Sequence, residues 1–229
     1  MTELRLADVD RDGAIEEAFD KVSGGTRADF MRKTLVGGAA AVAALTALED
    51  AHAAEIPRGD VSILNYALSL EYLQSAFYTE TERIGALRGK ASQTARILGG
   101  VERAHVTAFR SLLGPKAIPR ATYNFQGVTE NQRRFLNTAV AFEDLAVAAY
   151  KGQATRVRNK SVLAAAVSIH SVEARHAAWM RYLFGVTPAG AAFDQPRSRE
   201  QINRVVASTR FVSQARPRTR SRRGPRFTG

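Results

Sequence analysis

Two near-copies of one short segment constrain this chain more than any other feature. VERAHV (101–106) and VEARHA (172–177) each place a glutamate three residues before a histidine. The two motifs lie 71 residues apart, counted from Glu102 to Glu173. In an α-helix, positions i and i+3 lie on one face, so the glutamate and histidine of each copy point the same way.

A second repeated pattern precedes each motif. Glu71 and Glu143 lie 72 residues apart, and each is followed seven residues later by a tyrosine, Tyr78 and Tyr150. The order E-x6-Y and then E-x-x-H therefore occurs twice. We interpret the chain as a duplicated helical hairpin whose two copies keep the same polar positions.

Hydrophobic periodicity predicts four long helices between residues 60 and 185. Their expected ranges are about Asp60–Leu87, 90–113, 130–154 and Asn159–Leu183. Short links predict that the first two helices, and the last two, form antiparallel hairpins. The loop at 114–128 can reach about 50 Å when extended. We expect it to cross the whole bundle and to let the third helix start at the same end as the first.

Local signals predict where some helices begin and end. Thr129 with Gln132 has the form of a capping box for the third helix. Gly185 is expected to close the fourth helix. A further short helix is expected to begin at Ser198, which has Gln201 three residues on.

The four glutamates of the repeat lie on apolar helix faces, as Leu98, Val106 and Phe109 around Glu102 illustrate. Buried carboxylates without partners are unfavourable, and no Lys or Arg shares these faces at close spacing. The chain has no cysteine, so a metal site would need carboxylate and imidazole ligands. The pattern therefore predicts two divalent metal ions. The candidate ligands are Glu71, Glu102, His105, Glu143, Glu173 and His176.

With these motifs, residues 60–185 resemble the ferritin-like superfamily, in particular bacterial ferritin-like domain proteins with an N-terminal twin-arginine-type export segment. The resemblance implies an all-α fold, a four-helix ferritin-like bundle with one long crossover connection. It implies that Glu102 and Glu173 bridge the two metal ions. The other four ligands would complete the two shells in pairs, Glu71 with His105 and Glu143 with His176.

Three further residues near the implied site are candidates for a role in it. In ferritin-like proteins, tyrosines placed like Tyr78 and Tyr150 hydrogen-bond across the site or donate an electron; the alternative is two core tyrosines with locally satisfied hydroxyls. His170 lies one turn before Glu173 and could support a ligand, be an additional ligand, or be a core histidine.

The chain departs from many di-iron bundles at one position of each motif. Those bundles place an aspartate directly before each E-x-x-H, where this chain has Val101 and Val172. Such a carboxylate would orient the ligating imidazole. Asp144, beside Glu143, is the candidate substitute.

The resemblance implies a ferroxidase-like di-iron oxidoreductase that binds two Fe ions, or Mn as the alternative, and acts on Fe(II) with O2 or peroxide. Three alternatives stay open: a manganese catalase-like enzyme, a non-catalytic envelope protein of stress or desiccation, and a nucleic-acid-binding relative. A monomer or homodimer is expected rather than a storage cage.

The segment before the bundle has two parts. Residues 1–25 form an acidic extension with a short predicted helix capped by Asp12. Residues 26–54 have basic residues before an apolar run at 35–48 and an A-x-A sequence at 51–53. This pattern is typical of an export signal and predicts a cell-envelope or secreted protein. The alternatives are an Ala-rich helix packed on the bundle and a cytoplasmic location.

The predicted domain, residues 58–186, is followed by a C-terminal extension at 187–209 and a basic disordered tail at 210–229. The net charge is +11, and the tail contains seven arginines and no acidic residue. Its Pro, Ser, Thr and Gly content predicts disorder. The tail could bind nucleic acid or another anionic surface, or it could serve only for solubility.

Overall fold

The computed structural model describes residues 56–213, which are mostly helical. None of the helices in this range has an apolar stretch long enough to span a bilayer. The elements are α1 (Arg58–Ile84), α2 (Gly89–Leu113), β1 (Thr122–Tyr123), α3 (Gln132–Ala154), α4 (Lys160–Phe184), α5 (Arg199–Thr209) and β2 (Val212–Ser213). The predicted all-α bundle is confirmed. The predictions for residues 1–54 and 214–229 lie outside the described residues.

Glycines in the left-handed conformation end the first and fourth helices. Gly185 closes α4 with a φ of 85°, as predicted. Gly85 has a φ of 67° and ends α1 at Ile84, three residues before the predicted Leu87. Only glycine adopts this conformation without steric strain, so each helix stops there.

The start of α3 differs from the prediction. Asn131 is its N-cap residue and accepts a hydrogen bond from the backbone N–H three residues on. The Thr129 hydroxyl instead donates to the Glu80 carboxylate at 2.9 Å, and the Gln132 side chain accepts from the backbone N–H of Arg88 at 2.9 Å. The predicted Thr129–Gln132 capping box is therefore wrong, because Thr129 bonds to the last turns of α1 and Gln132 to the N-cap residue of α2.

The connection between α2 and α3 crosses the length of the bundle. It begins beside the start of α1, where Asn65 Nδ2 donates to Lys116 O at 2.9 Å and Ile118 N donates to Asn65 Oδ1 at 2.8 Å. It ends at Thr129, beside the last turns of α1. The expectation that α3 starts at the same end as α1 is wrong. Because α2 already returns the chain to that end, crossing the bundle carries it to the opposite end, and α3 runs antiparallel to α1.

The core contains two apolar clusters on either side of a polar layer, and a third cluster in which α5 packs on α1 and α3. The cluster near the end of α1 contains Phe77 and Phe135, whose stacked rings have centroids 5.1 Å apart. The cluster near the start of α1 contains Leu68, Phe109 and Ile169. On each long helix, the glutamate of the repeat lies between the two clusters.

The C-terminal extension packs along α1 and α3. Ile202 of α5 is fully buried, and the Arg199 guanidinium lies 4.8 Å from the centre of the Tyr66 ring. The segment before α5 passes so close to α3 that a Cβ added at Gly152 would overlap the backbone carbonyl of Arg197. The helix predicted at Ser198 and Gln201 is confirmed, with the reciprocal capping box in place.

The ordered chain continues past the predicted start of the tail. β2 pairs antiparallel with β1, with Thr122 opposite Ser213. The side chain of Phe211 is buried against Phe125, and its carbonyl accepts a hydrogen bond from Asn124 N at 2.8 Å. The prediction of disorder from Arg210 is therefore wrong for residues 210–213. The average composition of the tail is polar and basic, but the apolar side chain of Phe211 packs into the core and holds this segment.

Candidate metal centre

Each long helix brings one glutamate to the polar layer in the middle of the bundle. All four side chains are fully buried, which agrees with the apolar faces on which the sequence places them. They are Glu71 of α1, Glu102 of α2, Glu143 of α3 and Glu173 of α4. The cationic side chains that approach them in residues 56–213 are two histidines.

His105 and His176 both direct Nδ1 at carboxylates of this layer. His105 Nδ1 lies 3.2 Å from Glu71 Oε2 and 3.2 Å from Glu173 Oε1. His176 Nδ1 lies 3.1 Å from Glu102 Oε1 and 3.6 Å from Glu143 Oε2. Each imidazole therefore lies close to one glutamate of the other hairpin as well as to both glutamates of its own hairpin.

The six side chains form two groups that share members. One group contains Glu71 and His105, and the other contains Glu143 and His176. Both groups include Glu102 and Glu173, and in each group one ligand atom per residue lies within 4.8 Å of all the others. Two adjacent sets of three carboxylates and one imidazole are suited to divalent first-row metal ions.

The shared glutamates have hydrogen-bonding capacity that the protein leaves unused. Within residues 56–213, no hydrogen bond reaches either carboxylate oxygen of Glu102 or Glu173, nor Nδ1 of His176, although the two imidazoles lie at ion-pair distance from these carboxylates. Buried polar atoms normally have partners, and unpartnered ones indicate an ion or water. The residues present therefore fit a metal site that includes these two carboxylates.

Each tyrosine of the repeat donates a hydrogen bond to a glutamate of the other hairpin. The Tyr78 hydroxyl donates a short hydrogen bond to Glu143 Oε1, and the Tyr150 hydroxyl donates one to Glu71 Oε1. Burial, and then the charges of Glu143 and Glu71 respectively, raise the pKa of both phenols well above their usual range. Both hydroxyls therefore stay protonated and act as donors that hold the carboxylates.

Gln74 is a contact that the sequence analysis missed. Its Nε2 donates to Glu143 Oε2 at 3.1 Å, and its side chain is buried. The sequence could have indicated this contact, because a polar residue one turn after Glu71 lies on the same inward helix face.

Burial and mutual charge shift the pKa values of the cluster, most of them upwards. Burial raises the pKa of Glu71 to about 7, although His105 partly offsets this effect. Burial and then the charge of Glu102 raise the pKa of Glu173 well above its usual range. Burial alone would raise the pKa of Glu102 as well, but the two neighbouring imidazoles lower it below its usual range. For the imidazoles, burial opposes the charge but the carboxylates outweigh it, so the pKa of His176 rises to about 10. Protons thus supply the positive charge that metal ions could replace.

Two other candidates are not part of this cluster. His170 is in neither four-residue group, and its buried Nε2 has no hydrogen-bond partner in residues 56–213. Asp144, the candidate substitute for an imidazole-orienting carboxylate, accepts from the Arg181 guanidinium at 2.8 and 2.9 Å. It therefore faces another partner, and the imidazoles are positioned by the carboxylates of the cluster instead.

Comparison with known proteins agrees with this geometry. A search of curated proteins returned no match to the chain. A family model described as a ferritin-like domain matches residues 59–186, which include the four long helices except Arg58 of α1, and every residue of the cluster. The chain therefore belongs to the ferritin-like domain family.

Proposed function

We propose that the protein binds two divalent metal ions, with iron as the first candidate, and that it oxidises Fe(II) with O2 or peroxide. The observation that carries this proposal is the set of unpartnered oxygens on Glu102 and Glu173, the two residues common to both ligand groups. One ion would be held by Glu71 and His105 with these shared carboxylates. The other would be held by the matching residues of the second hairpin, Glu143 and His176.

The ligand set also supports the chemistry of oxidation. Carboxylates stabilise the higher charge of Fe(III), and two Fe(II) supply the two electrons that reduce O2, with two protons, to hydrogen peroxide. The residues of this chain hold the carboxylates in place through Tyr78 and Tyr150, and they exclude water by apolar packing on both sides of the layer. Manganese accepts the same ligands, so a manganese catalase-like activity is the alternative within this class.

The test is aerobic addition of Fe(II) to the metal-free protein, followed by the near-ultraviolet absorbance of Fe(III)-oxo species. We expect fast oxidation by the wild type and only the background rate with Glu102→Ala/Glu173→Ala. Glu82→Ala/Asp144→Ala is the matched control, because it also removes two carboxylates, but ones that pair with arginines outside the cluster. Equal rates for wild type and the first variant would contradict the proposal.

A second measurement separates iron from manganese and from a non-catalytic envelope role. Elemental analysis of protein from its native source should give two iron ions per chain. Two manganese ions, together with O2 evolution from hydrogen peroxide, would support the catalase-like alternative. Bound metal without either reaction would support the non-catalytic stress or desiccation protein.

We also propose that the protein is exported to the cell envelope as a monomer or homodimer and that its basic tail contacts an anionic partner. The support is the signal-like pattern of residues 26–54 and the arginines after residue 213. Mass measurement of the mature protein should show cleavage after Ala53. Removing residues 214–229 should weaken salt-dependent binding to anionic vesicles, while loss of DNA affinity instead would favour the nucleic-acid alternative.

A further inference from the structure

The two hairpins supply matching residues to the metal centre with one exception. Three residues after Glu71, α1 carries Gln74, whereas three residues after Glu143, α3 carries Ala146. Both side chains are buried. Gln74 reaches across to Glu143, and the alanine at the matching position has no group that could reach Glu71.

This difference leaves the two unshared glutamates unequally held. Glu143 accepts a hydrogen bond at each oxygen, from Tyr78 at Oε1 and from Gln74 at Oε2. Glu71 accepts one at Oε1 from Tyr150, and its Oε2 contacts His105 Nδ1 at 3.2 Å. Because that imidazole nitrogen is itself a candidate ligand, Glu71 has one support that is independent of the metal, and Glu143 has two.

A carboxylate fixed at both oxygens is better prepared to bind a metal ion. The terminal torsion of a glutamate is broad, so a single hydrogen bond leaves it freedom that binding must remove. Each carboxylate oxygen has two lone pairs, so a donor at each oxygen still leaves one lone pair for a metal ion. Residues that hydrogen-bond to ligands typically change metal affinity by about 10- to 100-fold.

We propose that Gln74 is a positioning residue that makes the Glu143–His176 half of the centre the tighter one, so that this half takes up the first cation. The inference rests on the proposed two-metal centre and adds an order of loading to it. The ligands themselves are matched between the halves, and the inequality comes from a residue outside the ligand set.

The test is a titration of the metal-free, full-length protein with Co(II), followed by visible absorption and calorimetry. We expect two unequal binding steps for the wild type. Gln74→Met keeps the length and packing of the side chain but removes the donor, so the tighter step should weaken about 10- to 100-fold while the other is unchanged. Gln153→Met is the matched control, because Gln153 is also buried but its Nε2 has no partner in residues 56–213.

A measurement on the wild type avoids any effect of the substitution on folding. In a titration with diamagnetic Zn(II), the side-chain amide resonance of Gln74 should move with the first equivalent and not with the second. Movement with the second equivalent only, equal Co(II) steps in the wild type, or equal weakening of both steps in Gln74→Met would overturn the inference and leave the two-metal centre standing. If the wild type binds neither ion, the proposed centre itself fails.

Discussion

The two hairpins of the bundle are nearly equivalent at the candidate metal centre and differ in how they pack elsewhere. Each supplies two glutamates, one histidine and one tyrosine, and each tyrosine bonds to a glutamate of the other hairpin. Outside the centre, the segment before α5 is packed against Gly152 of α3, whereas α1 has Glu80 at the matching position, 72 residues earlier, where it accepts a hydrogen bond from Thr129. The comparison shows that the residues around the cluster keep a two-fold relation while the packing surfaces have diverged.

The largest effect should come from removing a shared glutamate rather than an unshared one. Glu102→Ala should lose both metal ions, because both ligand groups contain it. Glu71→Ala and Glu143→Ala should each retain one ion, since each belongs to one group. Metal content per chain after loading with Mn(II) and dialysis measures this. If either single-group variant retains no metal, the two halves do not bind separately.

The next largest effect should come from the crossed tyrosines. Tyr78→Phe should weaken the ion held by Glu143, and Tyr150→Phe the ion held by Glu71, each by about 10- to 100-fold, because a ligand loses a supporting hydrogen bond. Calorimetric titration with Co(II) resolves the two steps. Tyr66→Phe is the control, since the buried Tyr66 hydroxyl has no partner in residues 56–213. Weakening of the same step by both variants would break the equivalence of the hairpins.

Metal affinity should rise with pH by about tenfold per pH unit for each proton that an ion displaces. Between pH 6 and 8 His176, with a pKa of about 10, is protonated in the metal-free protein, and Glu71, with a pKa of about 7, changes from mostly protonated to mostly deprotonated. Proton release into weakly buffered solution during Mn(II) titration measures the displacement. Uptake without proton release would contradict the protonated cluster.

The same protons stabilise the metal-free fold. The folded pKa of His176 is raised above its ordinary value of about 6.5, so its contribution is present below that pH and is lost as pH rises towards about 10. The raised pKa of Glu71 acts with the same sign at lower pH. Urea unfolding in the presence of a chelator should therefore show falling stability from pH 6.5 to 10, and a flat profile would contradict this.

The smallest effect concerns packing outside the centre and sharpens the difference between the hairpins. Gly152→Ala should destabilise the protein by about 1–3 kcal/mol, because the new methyl group overlaps the backbone of Arg197. Gly100→Ala, also in a helix but with open space around the new methyl group, should be neutral or stabilising by up to about 1 kcal/mol. Thermal unfolding of both variants compares the sites, and equal destabilisation would show that the contact with Arg197 is not the cause.

Helical periodicity and the repeat were sufficient to predict which residues meet in the middle of the bundle. Glu71, Glu102, Glu143 and Glu173 recur at nearly constant offsets on apolar faces, and the structure buries all four in the bundle. Whether they hold metal stays a prediction, because the sequence and the fold describe the donors and not the ion.

Features that depend on distant contacts could not be predicted in the same way. Thr129 matches a local capping pattern, but its hydroxyl is used by Glu80, 49 residues earlier in the chain. Phe211 lies beside an arginine-rich tail, yet it is buried against a residue of the crossover connection, Phe125. In both cases a local pattern competes with a partner that only the assembled bundle supplies.

The tyrosine hydrogen bonds that cross between the hairpins have a consequence for folding. A hairpin folded alone would place its glutamates on an apolar surface without the tyrosine and the imidazole that the other hairpin provides. Burying carboxylates without such partners is unfavourable, so neither hairpin can complete its core before the other docks. We therefore expect the bundle to fold as a single cooperative unit, in which the two hairpins resemble the subunits of a dimer joined covalently by the crossover connection.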